Sequence, residues 1–372
     1  MATARRATTR EPAVRSADTV SAVSPAGPPD PVGLAVDRVE SWLVDALPWL
    51  RPPIVAELVA GGRSNLTYAI RDAAGQRVAL RRPPVAHVLP TAHDVVREFR
   101  VLSALAPTDV PTPGPLACCE DEGVTGAPFY VMRFVDGAVL RSPEEAASVL
   151  DEPARRNAGH ALAATLARIH AVDLESTGLA GLSRHDGYAA RQLRRWSAQL
   201  AESERLLGAS EPMIGAAHQL LEAHLPVQHE TTLVHGDYRL DNVVLGPDGE
   251  VRAVLDWEIC ALGDPMADVG LLEVYWAEPG DDERALEEAP TLAPGFPTRQ
   301  EVVAAYAAAS GRDCSNLDFF VAFGYWKLAC ILQGVRARYE GGAAAGDRSG
   351  QDRFQDRVRW LAARALDAAR GL

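Results

Sequence analysis

The sequence predicts an α+β fold in two unequal parts: a small, sheet-rich N-terminal part and a larger, mostly helical C-terminal one. Three observations lead there. Short apolar runs separated by glycine- and proline-containing connections crowd residues 54–137, whereas from residue 154 onward apolar residues recur at helical spacing. A polar core at 235–242, flanked by three further short apolar runs, interrupts the helical part. The 372 residues suffice for two domains or one bilobal unit with an ample core. The expected division is a tail at 1–32, an N-terminal lobe at 33–134 and a C-terminal lobe at 135–372.

Residues 1–32 hold Ala, Arg, Ser, Thr and Pro with almost no large apolar side chains, which predicts disorder. Their arginines faintly resemble a transit peptide, but apolar periodicity and the apolar core of a secretory signal are missing. Val36 to Leu47 has the apolar spacing of a helix. Ile54 to Ala60 and Leu66 to Arg71, joined through Gly61-Gly-Arg-Ser-Asn65, read as a β-hairpin, and Arg77 to Arg82 reads as the next strand. Alternation along that strand puts Arg81 on the face of Ala79 and Arg82 on the face of Val78 and Leu80. A helix is expected over 92–105, where Val95, Val96, Phe99, Leu102 and Leu105 share a face. The run from Phe129 leads as a strand into a turn at Gly137.

Helices then follow at 154–171, 187–207 and 212–225. Thr232 to Val234, Val243 to Leu245 and Val251 to Leu255 are strands, the last two closed into a hairpin by Gly246-Pro-Asp-Gly249. Asp264-Pro265 has the form of a helix cap with proline at the first helical position. Residues 278–297 form an acidic, proline-containing loop. Helices starting near Arg299, Asn316 and Ser349 close the chain, the last two linked by the flexible Gly341-Gly-Ala-Ala-Ala-Gly346.

The hairpin arrangement brings Asp237, Asn242 and Asp256 into one small volume. Transfer of a phosphoryl group from ATP needs a carboxylate to accept or orient the proton of the attacking hydroxyl, a role that suits Asp237. It also needs hard oxygen ligands for Mg²⁺, which Asn242 and Asp256 supply. The spacing Asp-x-x-x-x-Asn is that of the protein-kinase catalytic loop, with His235-Gly-Asp237 in place of His-Arg-Asp. Read differently, His235 and two aspartates could ligate a metal in a hydrolase.

The motif string resembles the aminoglycoside phosphotransferase-like kinases, which have the bilobal protein-kinase-like fold. His-Gly-Asp-x-x-x-x-Asn, Leu255-Asp-Trp-Glu258 and Gly263-Asp-Pro-x-x-Asp268 are all present. The fuller string looks most like the branch related to kinase domains fused to, or encoded near, acyl-CoA dehydrogenases. The resemblance implies that ATP and Mg²⁺ bind in a cleft between the lobes. Gly61, Gly62 and Ser64 would then form the nucleotide-covering loop, where glycines let the backbone approach phosphates and Ser64 and Asn65 offer donors. Met132 would line the adenine pocket, with backbone groups of Arg133, Phe134 and Val135 bonding the base. Asp268 would brace the catalytic loop.

This chain departs from protein kinases at one point. Of its 37 basic residues 36 are arginine, the exception being Lys327, so the kinase strand lysine is absent. Arg81 stands in its place and would meet the α- and β-phosphates, with Arg82 the competing candidate. Glu98 would be its ion-pair partner, unless Arg97 or Arg100 satisfies it locally. The missing lysine also admits a nucleotide-binding module without catalysis.

Composition narrows the partners. A net charge of −13 argues against nucleic acid, which needs a basic field. Five cysteines show neither metal-ligand spacing nor an even framework, in keeping with a reducing cytoplasm. Lys327 and Gln333 break the most apolar late stretch, 319–335, so no membrane span is expected. The expected acceptor is a hydroxylated small molecule, a hydroxy-acid or its acyl-CoA thioester, with an aminoglycoside as the alternative. Arg191, Arg194, Arg195 and Trp196 on one helix, and Tyr325, Trp326 and Lys327 on another, are candidates to face such an anionic acceptor with an apolar body.

Overall fold

In a computed structural model the structure describes residues 30–60, 65–85, 94–281, 289–340 and 351–372. A five-stranded antiparallel sheet forms the N-terminal lobe: β1 (Val55–Ala60), β2 (Leu66–Arg71), β3 (Arg77–Arg82), β4 (Pro115–Cys119) and β5 (Phe129–Arg133), in the order β1-β2-β3-β5-β4. Alternation on β3 and β5 gives the sheet two apolar faces. Val78, Leu80, Phe129 and Val131 pack with Val39 and Leu43 of α1 (Val36–Ala46) on one side. Ala79, Tyr130 and Met132 face the other way, toward Val95, Leu102 and Leu105 of α2 (Val95–Leu105), and their cluster continues into the helical lobe. Arg82 and Arg81 are carried to opposite faces by the same alternation.

The sequence reading missed β4. It begins on proline and lacks the β-branched residues that mark strands, which an edge strand tolerates. Also unanticipated were two short helices, α3 (Glu122–Thr125) and α4 (Pro143–Val149).

The C-terminal lobe is built on α5 (Glu152–His170), α6 (Tyr188–Leu207) and α7 (Pro212–Ala223). Two small hairpin-like sheets then carry the motif residues. The strand β6 (Thr232–Val234) pairs with β9 (Ala261–Gly263), and β7 (Val243–Leu245) pairs with β8 (Val251–Val254). Three-residue β9 is too short to show alternation, so only its pairing reveals it. The Gly246–Gly249 turn fits under α5 because Gly249, at φ 79°, has no side chain: a Cβ there would lie 2.0 Å from Ala154 O. Ala138 bonds Leu245 in both directions at 2.8 Å, tying the inter-lobe connection to this hairpin.

Helix α8 (Met266–Tyr275) begins one residue later than expected, with Asp264 Oδ1 accepting from Met266 N at 3.0 Å. The chain closes with α9 (Arg299–Ser310), α10 (Leu317–Glu340) and α11 (Gln351–Arg370). Among the described residues no helix is long and apolar enough to cross a membrane. Residues 1–29 of the tail, the glycines at 61–62 and Ser64, and the 341–346 link lie outside the described residues.

Candidate active site

The catalytic loop is held from behind by one carboxylate. Asp268, fully buried at the start of α8, accepts from His235 N at 2.6 Å and from Gly236 N at 2.7 Å, and meets His170 Nε2 at 3.3 Å. Burial alone would raise its pKa, but the His170 hydrogen bond and the charges of His170 and His235 outweigh it and keep the carboxyl below its ordinary range. The ring of His235 uses Nε2 on Leu255 O at 2.9 Å and takes Asp237 N on Nδ1 at 3.3 Å. Both nitrogens are thereby engaged within the loop. His235 is a structural strut, which removes the ligand that a metal-hydrolase reading requires.

Lys327 completes the support. Its Nζ donates to Gly236 O at 2.7 Å from the interior, and Trp326 donates from Nε1 to Ile214 O at 3.1 Å. The expectation that this helix face meets an acceptor is therefore corrected, since its polar groups are buried against the protein's own carbonyls. Arg191 turns its Nη2 inward to Arg184 O at 2.9 Å and Leu262 O at 3.1 Å, while its Nη1 is buried without a hydrogen-bond partner among the described residues. Burial moves the Lys327 ammonium below its ordinary pKa, with Asp237 and Asp268 opposing.

Asp237, Asn242 and Asp256 do converge, through local hydrogen bonds. Asn242 Nδ2 donates to Asp237 O at 2.8 Å and to Asp237 Oδ2 at 2.9 Å, while Asn242 O accepts from Leu255 N at 2.8 Å. This locks the Asp237 loop to the residue before Asp256. With its amide nitrogen committed, Asn242 has its oxygen to offer a cation. Asp256, at φ 63°, is the non-glycine residue with positive φ among those described, a conformation that aims its carboxylate into the cleft.

Two hard oxygen groups, one charged and one neutral, suit Mg²⁺ that completes its shell with phosphate and water. Among the described residues no group of three His, Cys, Asp or Glu side chains forms a metal cage, so a cation here has to share its shell with a ligand.

On the opposite wall, Arg81 Nε meets Glu98 Oε2 at 2.9 Å and its Nη2 meets Asp256 Oδ1 at 2.6 Å. Glu98 Oε1 accepts from Trp257 N at 3.1 Å, so this one carboxylate joins β3, α2 and the segment after Asp256. Its neighbour Arg97 donates to Glu258 O at 3.3 Å and Cys260 O at 2.7 Å. Burial pushes Glu98 up to about 7 despite the Arg81 charge. Asp256 is also raised by burial, against the lowering effect of Arg81. Arg82 is turned away to the carbonyls of Gly33, Pro83 and Thr125.

The cleft between these walls holds about 450 Å³, and Arg81, Met132, Asp237, Asn242 and Asp256 all line it. Phe134 packs under the Arg77 guanidinium, 4.4 Å from its ring centre. The side chains of Phe134 and Val135 are not part of the cleft wall, so their peptide groups are what they could offer a base. Gly61, Gly62 and Ser64 are outside the described residues; the adjacent Asn65 is buried, and its Nδ2 reaches Glu258 Oε2 at 3.3 Å.

Two residues at the base were not singled out from sequence. Tyr275 donates to Asp237 Oδ1 at 3.1 Å, and Arg239 meets Asp237 Oδ2 at 3.5 Å and Asp241 Oδ2 at 2.7 Å. Arg239 also covers the Tyr275 ring at 4.7 Å. Position beside Asp237 could have flagged Arg239; nothing local to Tyr275 could.

A model of the phosphotransferase enzyme family matches residues 55–311, well over half the chain. Acyl-CoA dehydrogenase family member 10 of Mus musculus is 39% identical over 289 residues, covering 76% of this chain but 26% of that protein. The chain thus spans about a quarter of that relative. A crystal structure of a Ralstonia eutropha protein provisionally called an aminoglycoside phosphotransferase is 31% identical, with a TM-score of 0.74, covering 90% of this chain and 98% of its own. The GDP complex of aminoglycoside 2'-phosphotransferase-IIIa, 17% identical with a TM-score of 0.58, covers 88% and 99% and shows the shared kinase-like fold.

Proposed function

Because the chain belongs to the phosphotransferase enzyme family, we propose that it moves the γ-phosphate of ATP to a hydroxyl group of a small molecule. The observation that supports this most is the bonding of Asp237, Asn242 and Asp256 into one cleft that also holds Arg81. Asp237 acts on the acceptor: Tyr275 and Asn242 fix its two oxygens, leaving their remaining lone pairs to orient the acceptor hydroxyl and receive its proton. Asn242 and Asp256 would hold Mg²⁺, which when bound offsets charge on the phosphates.

Arg81 is set by Glu98 to meet phosphate oxygens, and its reach to Asp256 keeps the two groups that would flank those phosphates side by side. Met132 and the peptide groups at 133–135 would take the base, and Gly61, Gly62 and Ser64 would cover the phosphates. An intact base and cation pair favour catalysis over silent nucleotide binding.

For the acceptor we favour a hydroxy-acid or its acyl-CoA thioester over an aminoglycoside. The mouse relative named for acyl-CoA dehydrogenases is 39% identical, whereas the aminoglycoside 2'-phosphotransferase is 17% identical. The test is ADP release from ATP and Mg²⁺ across a panel of hydroxy-acids, their thioesters and aminoglycosides. Asp237→Asn should abolish transfer while leaving nucleotide affinity within severalfold, and Asp256→Asn should weaken Mg-ATP binding itself. Wild-type turnover by both variants would overturn the site; turnover of aminoglycosides alone would overturn the acceptor.

A further inference from the structure

A second cavity, of about 270 Å³, opens on the far side of the catalytic loop. Its walls are apolar, formed by Leu272 on α8, Leu328, Ile331 and Leu332 on α10 and Leu361 on α11. Arg141, Arg239 and Asp241 line both this cavity and the nucleotide cleft, so the two spaces adjoin. Tyr275 stands in its wall and reaches Asp237 Oδ1 at 3.1 Å. The base itself lines the nucleotide cleft, one side chain away through Tyr275.

The charges in this cavity run against those of the chain, which is acidic as a whole at −13. Three arginines face one carboxylate, Asp241. Arg239 has its charge largely compensated by Asp241 at 2.7 Å and Asp237 at 3.5 Å, although its Nε–H finds no hydrogen-bond acceptor among the described residues. In Arg357, half-buried on α11, the Nε–H is likewise shut off from solvent and finds no acceptor among the described residues. A buried donor without an acceptor in an apolar wall is costly, and buried polar groups are otherwise almost always bonded. A ligand that brings an acceptor there resolves it. Arg141, at the mouth shared with the nucleotide cleft, adds another cation, exposed and close enough to Asp241 to oppose the rise that burial gives that carboxyl's pKa.

We infer that this cavity seats the acceptor and that Arg357, with Arg141, selects it by a negatively charged group carried on a short apolar chain. This rests on the phosphotransferase reading and adds the class of molecule that the site admits. A polycation such as an aminoglycoside meets three guanidiniums there and a single carboxylate, Asp241, already held by Arg239. An apolar chain fills the leucine-lined space, and a terminal carboxylate or phosphate supplies the two-pronged acceptor that a guanidinium fork takes.

The experiment is calorimetric titration of the full chain with octanoate, octyl phosphate and the neutral octanamide, alongside a non-hydrolysable ATP analogue. At least one octyl anion should bind tenfold or more tightly than the amide, and which of the two binds separates carboxylate from phosphate. Arg357→Gln should erase that preference while leaving the affinity for the ATP analogue within twofold. Arg141→Gln, a change at an exposed position, should weaken the preferred anion at least threefold and serves if Arg357→Gln does not fold. Equal binding of anion and amide, no binding of any octyl probe, or anion binding unchanged in both variants would overturn the inference while leaving the phosphotransferase reading in place. Failure of the wild type to bind the ATP analogue would overturn both.

Discussion

Replacing Arg81 and Arg82 by alanine, one at a time, should separate catalysis from stability at neighbouring residues of one strand. Arg81 contacts Glu98 at 2.9 Å and Asp256 at 2.6 Å, in the wall of the cleft. Its loss leaves Glu98 buried without a cation. That carboxyl is already pushed up to about 7 by burial, so it takes a proton at neutral pH rather than remaining a stranded charge. The stability lost should therefore fall below the roughly 3–5 kcal/mol typical of a broken buried pair. The functional loss is larger in consequence, because a preorganised cation at the phosphates is worth about 10²–10³ in rate, or ~2.7–4 kcal/mol.

Arg82 reverses this balance. Its three acceptors are all backbone carbonyls, of Gly33, Pro83 and Thr125, none of them in the cleft. Charged hydrogen bonds contribute ~1.5–3 kcal/mol each and do not add fully, so Arg82→Ala should lose about 2–4 kcal/mol of stability. Steady-state ATP consumption at 20 °C, paired with calorimetric melting, reads both effects. Arg81→Ala should lower kcat/KM for ATP at least a hundredfold; Arg82→Ala should stay within threefold but melt several degrees lower. A hundredfold loss in Arg82→Ala with near-normal Arg81→Ala would refute the assignment of the phosphate cation to the α2 side of the sheet.

Two further predictions concern the scaffold. Asp268 is held below its ordinary pKa of 3.8, so its ionised form contributes stability that is complete above that value and is lost as pH falls through the lower folded-state value. Asp268→Asn should cost about 2–4 kcal/mol at pH 7 and flatten the acid side of the stability profile, measured as urea midpoints at pH 7 and pH 3; an unchanged pH slope would refute it. Gly270 on α8 lies against α10, where a Cβ would sit 2.6 Å from Phe320 C, so Gly270→Ala should cost about 1–3 kcal/mol by overpacking. Gly215 in α7 has no atom within 4 Å of the same construction, and Gly215→Ala should instead stabilise by about 0.5–1 kcal/mol, both readable as melting shifts.

How much of this could be read in the chain follows from how local each cause is. Alternation along six residues is enough to put Arg81 and Arg82 on different faces, although it could not say which face borders the cleft. The turn at 246–249 and the short flanking strands predict the meeting of Asn242 and Asp256, because pairing between adjacent segments fixes it. Tyr275 and Lys327 are different. They reach Asp237 and Gly236 from 38 and 91 residues away, through helices whose placement depends on the whole packed lobe. Lys327 beside two aromatic residues resembled a recognition face, yet that combination serves equally to seal a cation inside. Arg357 was passed over because an arginine on an amphipathic helix looks like any solvated one until the cavity beneath it is seen.

Lys327 has a consequence for the chemistry that can be done on this protein. It is the sole lysine, and its amine is buried and bonded to Gly236 O at 2.7 Å. Acylating reagents and enzymes that modify lysine need an accessible amine, and the folded chain offers none on a side chain. They reach Lys327 only when α10 parts from the loop that carries Asp237. Covalent labelling read at the Lys327 side chain therefore counts openings of the catalytic centre, one side-chain mark per molecule, with the arginine-rich surface silent in the background.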